Sequence, residues 1–363
     1  MILADLQSRG LVELLDVELA RALGRMTRVA SPEVELAIAL TSRNVRRGHA
    51  CLPLGLTSAE IWPGEVAPLD LLPDPSRWKD ALAKSSLTHA GPLVLDACNR
   101  LYFQRFWQLE QDIARGLRSR SAEPPIIAED APWLQASLDR LFPGPPDAPP
   151  RRASANALRH RVSLLCGGPG TGKTSTVAAI VALIIEGRLR ETGVAPKVML
   201  LAPTGKSAAR LGEAVRGAKA RIQASDQILR QIPERASTLH RALGMQRNGV
   251  VFRRCIDFPL EADVIVVDEA SMIDLSLMRQ LLDATPAQAT LLIVGDPDQL
   301  TSVEAGSVLR DLVTANAHTW WGGRVTHLTK THRYDDNHAL AKLVGAMRNG
   351  DGALVETLLG SRG

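Results

Sequence analysis

The chain is poor in aromatic residues, has no clustered cysteines and has no long apolar run. Phe, Trp and Tyr make up only 4% of its 363 residues, so leucine, valine, isoleucine and alanine must fill most of any core. The four cysteines, Cys51, Cys98, Cys166 and Cys255, lie far apart and form no CxxC pair. That spacing indicates neither a zinc site nor a disulfide framework, and reduced thiols in a cytoplasmic protein are the simplest reading. The longest apolar run, Val177–Ile185, falls well short of the roughly 20 residues that cross a bilayer, so no membrane partner is expected. The opening Met-Ile-Leu-Ala-Asp-Leu-Gln lacks the charged-then-apolar order of a signal peptide. Neither sign of charge dominates: 43 Lys/Arg against 39 Asp/Glu leave a net charge of +4. Such a balance permits a nucleic-acid partner without requiring one.

What is present is enough for a core, with 45% hydrophobic residues, and a length that suits two or three domains. Residues 1–118 are expected to form a small helical domain. Ser31-Pro32-Glu33 combines a capping hydroxyl, a proline at the first helical position and an acid in the first turn, and Val34, Leu36, Ala37 and Leu40 follow at helical spacing. Leu101-Tyr-Phe-Gln-Arg-Phe-Trp107, continuing to Gly116, is expected as another helix whose aromatics serve packing. Residues 119–152 are expected as a linker. Eight of the 22 prolines fall within 121–150; Trp133–Phe142 suits a short helix, whereas Pro143-Gly-Pro-Pro-Asp-Ala-Pro-Pro150 does not.

From 153 to 335 the pattern changes to short apolar runs alternating with helical stretches: Val162–Cys166, Val198–Ala202, Val264–Val267, Leu291–Val294 and Val325–Leu328. Apolar strands without polar alternation indicate a parallel sheet covered on both faces, an α/β doubly wound fold. Residues 336–363 read as the start of a following domain.

Gly167, Gly168, Pro169, Gly170, Thr171, Gly172, Lys173 and Thr174 fit G-x-x-x-x-G-K-[ST] between an expected strand and a helix beginning near Ser175. Glycines let backbone N–H groups wrap an anion, and the helix N-terminus adds partial positive charge. Lys173 is the candidate for the β- and γ-phosphates of ATP and Thr174 for Mg2+. Val264-Ile-Val-Val-Asp268-Glu269-Ala-Ser271 is an apolar strand ending in two carboxylates, where such sheets carry their active groups. Asp268 is the candidate to hold the metal through water, and Glu269 to act as general base on the attacking water. In Gly295-Asp-Pro-Asp-Gln299-Leu300, Gln299 is a candidate sensor of the γ-phosphate, although the pattern suits an ordinary Asp-Pro turn. Arg333, after the last strand, is a candidate to touch the γ-phosphate, or equally a solvated basic turn. Asn156–Arg161 is a candidate adenine contact.

Two further segments carry hydroxyls and cations of the kind that grip a sugar-phosphate backbone: Ala202-Pro203-Thr204-Gly-Lys206 and Ser237-Thr238-Leu-His240. Between Lys206 and Arg254 there are 11 Lys/Arg and three Asp/Glu, an excess that backbone binding needs and that a solvated face also displays.

These motifs, in this order, resemble superfamily 1 helicases, and the Asp-Glu-Ala-Ser and Ser-Thr-Leu-His segments are similar to the RecD-like branch, superfamily 1B. Gly48-His-Ala-Cys-Leu-Pro-Leu54 and Pro92-Leu-Val-Leu-Asp with Arg100–Trp107 resemble the N-terminal domain of that family, the alpha subunits of exonuclease V. The resemblance implies a RecA-like ATPase domain and ATP-driven 5′ to 3′ translocation on single-stranded DNA. It further implies double-strand-break repair beside RecB and RecC, with the N-terminal domain docked on RecC. It places Lys173 and Thr174 on phosphate and Mg2+, Asp268 and Glu269 on metal and water, and Gln299 and Arg333 near the γ-phosphate. Pro203, Thr204, Lys206, Thr238 and His240 fall on DNA-contacting motifs. The chain ends at Gly363, 30 residues past Arg333, whereas helicases of this class use a second RecA-like domain. The expectation is therefore the N-terminal part of such a motor, or a truncated product, that binds ATP and hydrolyses it slowly. An alternative is a catalytically weak scaffold that binds RecC; another is a phosphate-loop ATPase acting on something other than DNA.

Overall fold

The computed structural model describes residues 2–26, 31–64, 72–89, 91–124, 127–128, 131–246, 252–299, 302, 304–315, 320–330, 343, 345–347 and 350–360. The chain divides into two compact units. The first is Met1–Ala114 with Asp274–Ser276 and Thr301–Ser307; the second is Arg115–Ile273, Leu277–Leu300 and Val308–Gly363.

The first unit is mostly helical, with α1 (Ile2–Ser8), α2 (Leu14–Gly24), α3 (Pro32–Arg46), α4 (Ser58–Ile61), α5 (Pro75–Ala83) and α6 (Ser86–His89). Helix α3 begins where Ser31-Pro32-Glu33 predicts, with Ser31 extended and Pro32 in the first turn. The Ser31 hydroxyl bonds the Glu33 carboxylate rather than a backbone amide. Residues 34 and 36–40 of α3 are buried, and Trp62 and Trp78 share their core. Each indole finds an acceptor, Trp62 Nε1–H on Leu11 O at 3.0 Å and Trp78 Nε1–H on Glu33 O at 2.8 Å, as buried indoles require. Asp16 is fully buried between α2 and α3 and accepts from Ser42 and Arg46. Burial pushes its pKa up, but those hydrogen bonds outweigh burial and hold it below the usual carboxylate value.

A small antiparallel sheet joins these helices, made of β1 (Cys51–Pro53), β2 (Leu93–Leu95) and β3 (Arg100–Phe103), with β3 in the middle. This corrects the expectation of a helix starting at Leu101. The turn before β3 has Asp96 accepting the N–H groups of Cys98 and Arg100, and Asn99 in the left-handed region at φ 59°. Leu101 and Tyr102 are then buried in register with Leu52 and Cys51. Only from Gln104 does the chain turn helical, as α7 (Gln104–Ser121).

The second unit contains α8 (Leu134–Leu141), α9 (Pro149–Arg159), β4 (Val162–Gly167), α10 (Lys173–Thr192), β5 (Val198–Ala202), α11 (Gly205–Lys219), α12 (Asp226–Gln231), β6 (Ser237–Thr238), α13 (Leu239–Ala242), β7 (Val264–Val267), α14 (Leu275–Ala284), β8 (Thr290–Gly295), α15 (Val308–Thr314) and β9 (Val325–Leu328). A last helix, α16, covers Gly352–Gly360. The described part of 119–152 is not an open linker. Leu134 and Phe142 lie in the core with α10, and Arg140 of α8 forms an ion pair with the buried Glu186 of α10. Pro149 and Pro150 occupy the first turn of α9, where a missing N–H costs nothing.

The six strands are all parallel, in the order β6-β5-β7-β8-β4-β9. Every residue of β4, β7 and β8 is buried. Fully burying each Leu, Ile or Val contributes about 1.5–3 kcal/mol, so these short strands need both faces covered. Because the strands are parallel, Gly167, Ala202, Thr238, Val267, Gly295 and Leu328 all end on one edge of the sheet. This is the edge where such folds collect their ligands.

Candidate functional site

The chain between β4 and α10 is a tight loop. Gly170 and Gly172 stand at φ 78° and 85°, conformations that a side chain disfavours. Gly167 has no room for a Cβ, which would stand 2.6 Å from Thr171 Oγ1 and 2.9 Å from Leu328 O. Thr171 is buried and donates its hydroxyl to Gly168 O at 2.9 Å, bracing the loop from inside. Pro169 lies exposed at its crest. Helix α10 starts at Lys173, followed by Thr174 and the exposed Ser175. The first N–H groups of a helix have no intrahelical acceptor, so a 20-residue helix here presents donors and partial positive charge to the loop.

Lys173 folds over this loop. Its ammonium donates to the carbonyls of Gly167 and Gly168, the latter at 2.9 Å. Burial pushes its pKa down, opposed by attraction from Asp296, Asp268 and Glu269. Three carboxylates from two strands therefore face one ammonium. Asp268 follows β7 and is half-buried. Burial raises its pKa above the ordinary carboxylate value, and the nearby Glu269 carboxylate adds to that. The Glu269 N–H, at 2.9 Å from Asp268 Oδ1, and the Lys173 charge act against it. Glu269 itself lies in the left-handed region at φ 54°, a conformation that costs a non-glycine residue about 1–3 kcal/mol and that often marks a functional position. The turn Ala270–Met272 follows directly.

Asp296 is the residue that sequence reasoning passed over. It follows β8, the neighbour of both β4 and β7, and is only 3% exposed. Its carboxylate accepts the Asp298 N–H at 3.1 Å and the Gln299 amide at 3.4 Å. The Asp-Pro turn reading was therefore correct locally, yet the turn sets an acid toward Lys173. The available signal was its place at the carboxyl end of an apolar strand. Cys166, buried just before the loop, has its thiol pushed up to about 12 by burial and by Asp296; it is a packing residue. Gln299 is exposed beside this group. Arg333 lies outside the described residues.

The loop has the chemistry of a phosphate cradle. The cradle has no side-chain bulk at Gly167, and the helix start and Lys173 meet phosphate charge. Among the described residues no cluster of three or more His, Cys, Asp or Glu side chains is arranged to hold a metal.

The DNA-contact candidates gather elsewhere on the same edge. β5 and β6 pair through Ala202 and Thr238, which brings the 203–206 and 238–240 segments side by side. Thr204 caps α11, its Oγ1 accepting Ser207 N–H at 3.1 Å, and Thr238 caps α13, accepting Arg241 N–H at 3.2 Å. These hydroxyls thus serve first as helix caps. Pro203 is half-buried and Lys206 exposed. His240 packs its ring 6.2 Å from that of Phe252. Of the adenine candidates, Asn156 donates to Thr326 Oγ1 at 2.9 Å, and Arg161, at the opposite end of β4 from the loop, donates to Gln288 O at 2.8 Å. Among the described residues no helix is long and apolar enough to cross a membrane.

Residues 8–102 match the family model described as RecBCD enzyme subunit RecD, N-terminal domain, and residues 150–305 match that described as AAA domain. The chain is 38% identical over 353 residues to RecBCD enzyme subunit RecD of Mycobacterium tuberculosis, covering 97% of this chain and 59% of that one. It is 38% identical over 358 residues to RecBCD enzyme subunit RecD of Mycolicibacterium smegmatis, covering 97% and 61%. To the ATP-dependent RecD2 DNA helicase of Deinococcus radiodurans it is 37% identical over 217 residues, covering 60% of this chain and 26% of that one. The chain thus spans 59–61% of the length of those two RecD relatives. With a match to the RecD N-terminal family model followed by a phosphate-loop domain, this chain is similar to RecD along 97% of its own length.

Proposed function

We propose that the chain is the ATP-binding part of a RecD-type DNA motor that translocates 5′ to 3′ on single-stranded DNA. The observation that carries this reading is Lys173, set over a glycine cradle and faced by Asp268, Glu269 and Asp296 from two neighbouring strands. Lys173 and the first N–H groups of α10 would bind the β- and γ-phosphates, and Thr174 and Asp268 would hold Mg2+. When bound, the metal supplies charge neutralisation at the transferring phosphoryl group. Glu269 would take the proton of the attacking water, its carboxylate aimed by the left-handed backbone at its own position. Gln299 would orient that water or sense the γ-phosphate, and Arg333 would approach the phosphate after β9.

DNA would lie on the carboxyl edge over β5 and β6, gripped by Lys206 and the helix starts at Thr204 and Thr238, with Pro203 and His240 beside the strand. The local excess of Lys and Arg supports this placement. In this reading, residues 1–118 dock on RecC in a cytoplasmic complex with RecB that repairs double-strand breaks. Residues 119–152 lead into the ATPase domain at 153–335, and 336–363 open the domain that follows. The test joins two measurements: binding of a single-stranded oligonucleotide as a function of salt, and ATP hydrolysis with and without RecC. Salt-dependent binding with DNA-stimulated hydrolysis supports the motor. Capture by RecC without hydrolysis would favour a scaffold, and absence of DNA binding at low salt would overturn the DNA assignment.

A further inference from the structure

The turn after β8 is built around one peptide unit. Gln299 N–H reaches Asp296 O at 3.2 Å. This closes a four-residue turn with Pro297 in second position, where the fixed φ of proline suits a reverse turn. The central peptide joins Pro297 to Asp298, and both of its polar groups are held. Its N–H donates to Asp296 Oδ1 at 3.1 Å. Its carbonyl, Pro297 O, accepts from Arg310 of α15, Nε at 3.4 Å and Nη2 at 3.2 Å. Helix α15 is fixed against the end of β8: Leu309 is 2% exposed, and a Cβ on Gly295 would stand 2.6 Å from its Cδ2. Arg310, the next residue, is exposed and reaches back over the turn. All of these residues belong to the second compact unit.

We infer that Arg310 is a positioning residue: it fixes the 297–298 peptide plane and through it sets Asp296 and Gln299 toward the terminal phosphate of a bound nucleotide. The inference rests on the nucleotide reading above. A turn with proline in second position has two forms, related by inversion of the central peptide. One has negative φ at the third residue and the other positive φ. Among the described non-glycine residues, positive φ occurs at Asn99 and Glu269 and not at Asp298, so this turn takes the first form. Aspartate tolerates positive φ better than most residues do, so the residues of the turn leave both forms open. Inversion would swing Asp298 N–H away from the Asp296 carboxylate and Pro297 O away from the guanidinium. A cationic donor on that carbonyl, charge-assisted as it is, favours the form observed. In this form the Asp296 carboxylate stays where it attracts Lys173 and takes the Gln299 amide at 3.4 Å. In the inverted form Asp296 loses its backbone donor, and the aim of both side chains goes with it. Arg310 thus acts through the turn and touches no phosphate itself.

Calorimetric titration of the full chain with Mg2+-AMP-PNP and with Mg2+-ADP tests this, since the ratio of the two affinities reads the terminal phosphate. The parent chain is expected to prefer AMP-PNP. Arg310→Ala should weaken AMP-PNP about fivefold, within the range for coupled neighbouring groups, and leave ADP affinity as it was. Arg310→Lys, which keeps a cationic donor, should keep part of the preference. In Gln299→Ala the preference is already reduced, and adding Arg310→Ala should reduce it no further, because both changes act on one contact. Thermal midpoints show that each variant is folded, as an exposed substitution should leave it. An unchanged ratio in Arg310→Ala overturns the positioning role alone. So does an equal loss for both nucleotides, a further loss in the double variant, or an Arg310→Lys chain no better than Arg310→Ala. No preference in the parent chain overturns the γ-phosphate reading of Gln299 and the role of Arg310 together, and no binding of either nucleotide overturns the nucleotide reading itself.

Discussion

Gln299 donates its side-chain amide to the carboxylate of Asp296 at 3.4 Å, and Asp296 is nearly buried while Gln299 is exposed. The two residues of one short motif therefore have different work. Asp296 holds the turn after β8 and faces Lys173; Gln299 is left exposed to solvent.

Asp296→Ala is accordingly expected to destabilise the chain by about 1–3 kcal/mol, because the Asp298 N–H loses a buried acceptor. Gln299→Ala should stay within about 0.5 kcal/mol, as exposed substitutions usually do. Urea denaturation of both variants checks this, and equal losses would contradict the division of roles.

Asp268 gives a pH signature. Its pKa is raised in the folded chain, first by burial, so the ionised carboxylate disfavours the fold at neutral pH and the protonated one does not. Asp268→Asn should therefore stabilise the chain near neutrality. The gain should shrink as pH falls through the raised pKa and vanish below the unfolded-state value. Thermal unfolding without metal or nucleotide, from about pH 7 down to about pH 4 where carboxylates titrate, reads it. A gain that grows toward acid would be the wrong sign.

Phe142 tests the status of the proline-rich segment. It is 5% exposed in the core shared with α10, so Phe142→Ala should cost about 3–5 kcal/mol. A change near zero in a calorimetric or urea midpoint would return the segment to the role of an open linker.

Lys206 tests the proposed DNA track. Lys206→Ala should weaken single-stranded DNA binding about equally across sequences and reduce the slope of log affinity against log salt by about one. Nucleotide affinity should not change, and an unaltered slope would remove Lys206 from the track.

Much of the second unit was legible because its strands are buried on both faces. Val162–Cys166, Val264–Val267 and Leu291–Val294 read as apolar runs for the same reason that they lie in the middle of the sheet. The loop at 167–174 was legible because tight turning and anion wrapping both demand glycine. Strand β3 was not. Its four residues are held between the equally short β2 and β1, the latter some fifty positions upstream, and the pattern of α7 runs on from it without a break. The two-residue β6 carries too little pattern to be seen, so the pairing of Ala202 with Thr238 became visible only in three dimensions. Asp296 was hidden by local plausibility: a turn explains the residue types, and only the sheet order brings it to Lys173. Thr204 and Thr238 were singled out for hydroxyls that first of all cap helices.

The most direct test of the nucleotide site is calorimetric titration of Mg2+-ATP into the chain and into Lys173→Ala. The parent is expected to bind one nucleotide per chain. The variant should lose about 1.5–3 kcal/mol of binding free energy, the usual contribution of a hydrogen bond to a charged group, or about 10- to 150-fold in affinity. Unchanged affinity in a folded Lys173→Ala chain would contradict the cradle at Gly167–Thr174 and the motor built on it.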